Sequence, residues 1–152
     1  MKSDRFGQEK GALFFDADTL VKTIGDGALG GKASGLVFIH DKILSHFEAD
    51  SFPDVEIKIP EMTVLCTDIF DQFMQSNDLY EIALSDLPDD RIALAFQQAD
   101  LPFETLGPLR ELIQDKHAPL AIRSSSLLED AAHEPFAGVY GTKMIPNSVY
   151  DV

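Results

Sequence analysis

Apolar residues recur at two spacings along this chain, and the switches between them divide it into short strands and helices. Leu13 to Phe15 is a short apolar run of the kind a strand buries. Leu36, Ile39, Ile43 and Leu44 fall on one face of a helix predicted over residues 32–47. A turn is expected at 50–53. Residues 55–59 alternate apolar and polar as a half-buried strand does, Pro60 ends them, and 63–66 resume extended structure. Thr67 or Asp68 reads as the N-cap of a helix that turns Phe70, Phe73, Met74 and, further on, Ile82 inward. Asp89 and Asp90 open another helix through Ala99, with Ile92, Ala95 and Phe96 as its face, and Pro102 breaks it. A last helix, 104–116, carries Leu109, Leu112 and Ile113. A buried strand is predicted at 119–122 and a further strand at 139–145. The pattern predicts a mixed α+β fold with its helices concentrated in the middle.

Length and composition narrow this picture. A chain of 152 residues is one domain by size, long enough for a real core. No apolar run approaches the roughly 18 residues of a membrane span, and the first fifteen residues lack the apolar stretch of a signal peptide. The single cysteine, Cys66, excludes an internal disulfide and a cysteine-based zinc site. It fits a reducing cytoplasm and reads as a small buried strand residue. Net charge is −14, and between Glu61 and Glu104 ten acids face one base, Arg91. Such a surface repels nucleic acid and anionic lipid, so neither nucleic acid nor membrane is expected as a partner. Any anionic ligand must be held by close local contacts, because the long-range field opposes it.

Two segments could supply those contacts. The run GDGALGGK, 25–32, contains G-x-G-x-x-G at Gly25, Gly27 and Gly30. A dinucleotide-binding reading needs a strand before it and an acid about 20 residues on. Glu48 or Asp50 could be the acid, but DTLVKTI, 18–24, is a poor buried strand because of Asp18 and Lys22. A Walker A loop would need Gly at Asp26 and Ser or Thr at Ala33. What remains is either a mobile loop before a helix or a glycine loop that brings Lys32 and the helix amides to phosphate oxygens. The second segment is RSSS, 123–126, at the end of the strand 119–122. A guanidinium there offers a planar fork to phosphate, and small hydroxyls flank it. Alternatively Arg123 pairs with Glu129 or Asp130, and the serines cap the next turn. Downstream, Gly138 permits close backbone approach and Thr142 places a hydroxyl on the following strand. His40, His46, His117 and His133 form no cluster with the spacing of a metal trio or a catalytic dyad.

GGKASGL at 30–36, IPEMTVLCTDIFDQFM at 59–74 and AIRSSSLLEDAAHEPFAGVYGTK at 121–143 together resemble the N-terminal nucleotide-binding region of phosphoenolpyruvate synthase and pyruvate phosphate dikinase. That region is similar to the first part of an ATP-grasp domain, and rifampicin phosphotransferases share it. The match runs, with gaps, from about residue 28 to 147. It implies that Lys32 contacts ATP phosphates and that Arg123 grips the phosphate chain during transfer. It implies that Gly138 and Thr142 belong to the turn and strand that close over the nucleotide, and that Glu129 and Asp130 are structural. It also implies Mg²⁺, whose carboxylate ligands are expected outside this chain with the adenine-side hinge, the phosphorylated histidine and the pyruvate-binding barrel. Residues 1–152 are accordingly expected to form a single, partial domain of a longer multidomain protein, and the abrupt SVYDV end fits that expectation. The whole protein would pass phosphoryl from ATP to an enzyme histidine and on to pyruvate. The chain by itself is expected to bind ATP weakly at best and to turn nothing over. A non-catalytic regulatory module, a rifampicin-type phosphotransferase and a dinucleotide-binding oxidoreductase are the competing readings.

Overall fold

The computed structural model describes residues 21–47, 54–126 and 140–147. The strand expected at 13–15, the turn at 50–53, and Glu48, Asp50, Glu129, Asp130, His133 and Gly138 lie outside the described residues. The fold is mixed α+β, as the pattern predicted. In order it comprises β1 (Val21–Ile24), α1 (Gly31–Phe38), β2 (Met62–Leu65), α2 (Thr67–Ser76), α3 (Leu79–Ala83), α4 (Asp89–Gln98), α5 (Phe103–Asp115), β3 (Leu120–Ile122) and β4 (Lys143–Ile145).

β1 and β2 run parallel, with Val21 opposite Met62 and Ile24 opposite Leu65. The DTLVKTI segment therefore does hold a strand, contrary to its polar look. β1 is only half covered. Lys22 and Thr23 face solvent while Ile24 is buried, so charged positions cost little there. The strand expected at 55–59 does not form. Those residues join no strand ladder among the described residues, and Val55 and Ile57 are exposed. Alternation alone does not make a strand when no ladder partner satisfies its amides.

The helix expected over 32–47 is regular only to Phe38. It widens into a π-helical turn, Ile39–Ile43, and tightens into a 3₁₀ turn, Leu44–His46. Of its expected apolar face, Leu36 and Leu44 are half-buried while Ile39 and Ile43 are exposed.

Among the described residues, the core draws on β1, α1, β2, α2, the start of α3 and, through Thr105, the start of α5. Ile24, Ala33, Val64, Cys66, Ile69, Met74 and Leu79 are its buried apolar members. Phe73 of α2 packs a tilted ring against Phe96 of α4, centroids 6.4 Å apart, a favourable aromatic geometry. Phe70, expected inward, is exposed, because Ile69, Phe73 and Met74 already occupy the core side of α2. The long helix expected from residue 67 breaks at Asp78, whose left-handed backbone (φ 53°) starts α3 in a new direction. Asn77 holds that break. Its amide donates to Phe73 O and Asp100 O and accepts from Asp100 N. At the start of α5, Thr105 is fully buried with its hydroxyl donating to Pro102 O at 2.7 Å, so the buried polar group is satisfied.

β3 and β4 form an antiparallel ribbon, Leu120 opposite Ile145 and Ile122 opposite Lys143. The expected buried strand at 119–122 is instead largely open: Leu120 is half-buried, and Ala121 and Ile122 are exposed. A two-stranded ribbon leaves apolar residues in solvent unless another layer covers them. The ribbon is tied to α5 by Asn147, which donates to Ile113 O and Lys116 O, while Lys116 pairs with Glu61 just before β2. None of the described helices is long and apolar enough to cross a membrane.

Candidate functional site

The glycine loop between β1 and α1 is held on two sides by side chains from distant segments. On one side, the Asp68 carboxylate accepts hydrogen bonds from Asp26 N (2.9 Å) and Gly27 N (2.8 Å), and Thr67 Oγ1 accepts from Ala28 N (3.0 Å). Thr67 N donates back to Ala28 O, and Cys66 N to Ile24 O. This corrects the expectation that Thr67 or Asp68 caps its own helix. Cys66 is the N-cap residue of α2, Thr67 and Asp68 are the first helical residues, and their side chains serve the loop instead. The α2 N-terminus favours an anion by its dipole. Asp68 is that anion.

On the other side stands Ser125. Its carbonyl accepts from Gly31 N (2.8 Å), its hydroxyl accepts from Ala33 N (3.1 Å) and donates to Leu29 O (3.0 Å). The first turn of any helix leaves amides without intrahelical partners. Here Ser125, more than ninety residues away in sequence, fills two of them. Ser34 N closes on Gly30 O. The loop is therefore held from both sides by hydrogen bonds within the chain. The amides of Gly31 and Ala33, expected to face phosphate, are already engaged within the chain.

The same contacts account for the glycine spacing. A Cβ on Gly30 would lie 1.9 Å from Ser125 O. On Gly25 and Gly27 it would fall 2.6 Å from Asp68 Oδ1 and Asp68 N respectively. All three glycines of G-x-G-x-x-G are explained by close approach to Asp68 and Ser125, with no dinucleotide required.

The electrostatics follow from this geometry. Partial burial pushes the Asp68 carboxyl up, but hydrogen bonds from the amides of Asp26, Gly27, Ile69 and Asp68 itself outweigh it. The net result lies below the usual carboxylate range. Beside it, burial pushes the Cys66 thiol up, and the charges of Asp68 and Asp26 add to that. Cys66 is 1% exposed, which fits the expected buried role, although it sits just past the end of β2.

Lys32 is the second residue of α1, half-buried, between the two residues whose amides bond Ser125. Arg123 stands immediately after β3 and is exposed. Thr142 lies one residue before β4 rather than on the strand, and is also exposed. Continuing the ribbon register one step past the Ile122–Lys143 pair puts Arg123 opposite Thr142. Tyr140 OH donates to Ser126 Oγ at 3.2 Å, so the Arg123 segment is tied to the Thr142 segment as well as to the Lys32 loop. Three of the four expected site residues thus sit on segments joined through Ser125 and Ser126, and Gly138 lies outside the described residues. Sequence reasoning missed the structural roles of Asp68 and Ser125. Their one advance signal was the density of glycines, which implied that something approaches the loop backbone closely.

A groove of about 440 Å³ lined by Gln72, Gln75, Ser76, Pro102, Phe103 and Glu104 opens at the other end of α2 from Asp68, away from these cations. Among the described residues, no group of three or more His, Cys, Asp or Glu side chains could hold a metal ion.

The architecture is that of a mixed α+β domain. Residues 27–151 match the family described as pyruvate phosphate dikinase, AMP/ATP-binding domain, and the chain belongs to that family. Comparison with curated proteins and with solved structures returned no match.

Proposed function

We propose that this chain is the ATP-grasp-like nucleotide-binding subdomain of a phosphoenolpyruvate synthase or pyruvate phosphate dikinase type phosphotransferase. Lys32 and Arg123 hold the ATP phosphates, and Gly138 and Thr142 close over them. The observation that carries this reading, within a family that binds AMP and ATP, is the Ser125 tether. It joins the Lys32 loop to the Arg123 strand end through three hydrogen bonds.

The chemistry suits the residues. Phosphoryl transfer depends mostly on positioning and on neutralising charge on the phosphate oxygens. Five loop and first-turn amides, those of Asp26, Gly27, Ala28, Gly31 and Ala33, are engaged inside the chain. Recognition therefore falls to side chains rather than to a backbone cradle of the P-loop kind. Lys32 supplies a point charge, and Arg123 a fork that can take two oxygens at once. Thr142, opposite Arg123 in the extended register, adds a hydroxyl. In a chain of net charge −14, these short contacts must outweigh a repulsive field.

The phosphoryl group would pass from ATP to a histidine elsewhere in the protein and then to pyruvate. Residues 1–152 would make one wall of the site, with the adenine pocket and the Mg²⁺ carboxylates on other domains. Mg²⁺ would supply charge neutralisation on the phosphates, and the described residues offer no cluster to hold it. Titrating ATP while following backbone amide shifts tests the reading. Shifts are expected at Lys32, Arg123 and Thr142, and they should need much higher ATP in Lys32→Ala and vanish in Arg123→Ala. Shifts confined to other parts of the chain would refute it.

A further inference from the structure

The Ser125 contacts do more than close a loop, because of where they fall. Lys32 is bracketed: the amide before it (Gly31 N) and the amide after it (Ala33 N) both end on Ser125. The Ser125 hydroxyl also reaches back to Leu29 O, so it spans the turn from which α1 and Lys32 emerge. Ser125 itself is two residues from Arg123. Its hydroxyl works in both directions, as donor to Leu29 O and acceptor from Ala33 N. Gly30 has no Cβ at a place where a side chain would push the two segments apart.

We propose that Ser125 is a positioning residue that fixes the backbone of Lys32 relative to Arg123, so that both cations are set for one polyphosphate before it arrives. The inference rests on the reading of Lys32 and Arg123 as phosphate-binding residues. A tether within the chain removes part of the ordering cost that the ligand would otherwise meet on binding. Removing the hydroxyl leaves the Gly31 N to Ser125 O bond, so the strand end stays beside the loop while the Ala33 amide and the Leu29 carbonyl lose their partner.

The test is an ATP titration of the whole chain, followed by amide shifts, for wild type, S125A, K32A and the S125A/K32A double variant. S125A is expected to weaken ATP binding about tenfold, a change of about 1.4 kcal/mol. On the K32A background, the same change should have less than about a twofold further effect, since a residue acting through Lys32 has nothing left to position. An equal loss on both backgrounds would mean Ser125 is merely structural, and an S125A affinity equal to wild type would also overturn the proposal. S125C, with a weak donor and acceptor in the same place, is expected to lose affinity likewise and carries the test if S125A does not fold. If K32A and R123A bind ATP as wild type does, the functional reading fails and this inference with it. If K32A and R123A lose binding while S125A and S125C keep it, only the role of Ser125 falls.

Discussion

Replacing Gly30 with alanine tests the locked loop most directly. Gly30 has φ 78° and ψ 176°, a conformation essentially restricted to glycine. Forcing a side chain into it costs about 1–3 kcal/mol. The added Cβ would also lie 1.9 Å from Ser125 O and 2.9 Å from Ser125 C, both backbone atoms that cannot rotate aside. The clash is relieved only by moving the loop off Ser125, which breaks the bonds to Gly31 N, Ala33 N and Leu29 O. At about 0.5–1.5 kcal/mol net for each bond, the total destabilisation is about 2.5–7.5 kcal/mol, a large part of a domain's stability.

Gly35 provides the control. It lies in the helix that Gly30 precedes, is exposed, and would meet nothing within 4 Å on gaining a Cβ. Gly35→Ala should therefore stabilise the protein by about 0.5–1 kcal/mol through helix propensity. Urea unfolding followed by circular dichroism, with a shared m-value, measures both. Opposite signs are expected. A Gly30→Ala variant within about 0.5 kcal/mol of wild type would refute the claim that this glycine is required by contact with Ser125.

Other outcomes follow from the same site. The Asp68 carboxyl lies below its unfolded value, so its contribution to stability is present above the ordinary carboxylate range and is lost as pH falls through the folded pKa. Asp68→Asn, which turns one acceptor into a donor facing an amide, should lower stability near neutral pH and flatten the acid limb, and a stability–pH profile that is unchanged would contradict this. Cys66, buried and with its thiol pushed up, should react with a thiol reagent at pH 8 at least about tenfold more slowly in the native chain than in urea. Arg123→Lys keeps the charge but loses the fork, so it should retain only part of the ATP response that Arg123→Ala abolishes. Equal affinity for Arg123→Lys and wild type would show that the guanidinium geometry is not used.

Much of the framework was legible because it depends on local periodicity. α4 and α5 begin and end within a residue or two of where their apolar faces and Pro102 placed them. The Arg123 strand end stood out because a lone cation after an apolar run is chemically conspicuous. What misled was pattern without context. Residues 55–59 alternate like a strand but join no strand ladder among the described residues, whereas β1 looks too polar for a strand yet pairs with β2 along its length. Strands are decided by neighbours, and the neighbour of β1 lies some forty residues away.

The divide between sequence and tertiary structure runs through the glycine loop. The residues alone determined that Gly25 to Lys32 is glycine-rich and ends in a cation before a helix, and that Arg123 is followed by three serines. They also determined the charge that makes any anion site here depend on short contacts. Only the fold decided what the glycines are for. Chain folding brings Asp68 and Ser125 against the loop backbone, and hydrogen bonds to a backbone that close leave no room for a Cβ. A periodicity can be read from neighbouring positions, but a contact between residues more than forty or ninety positions apart depends on the whole path between them.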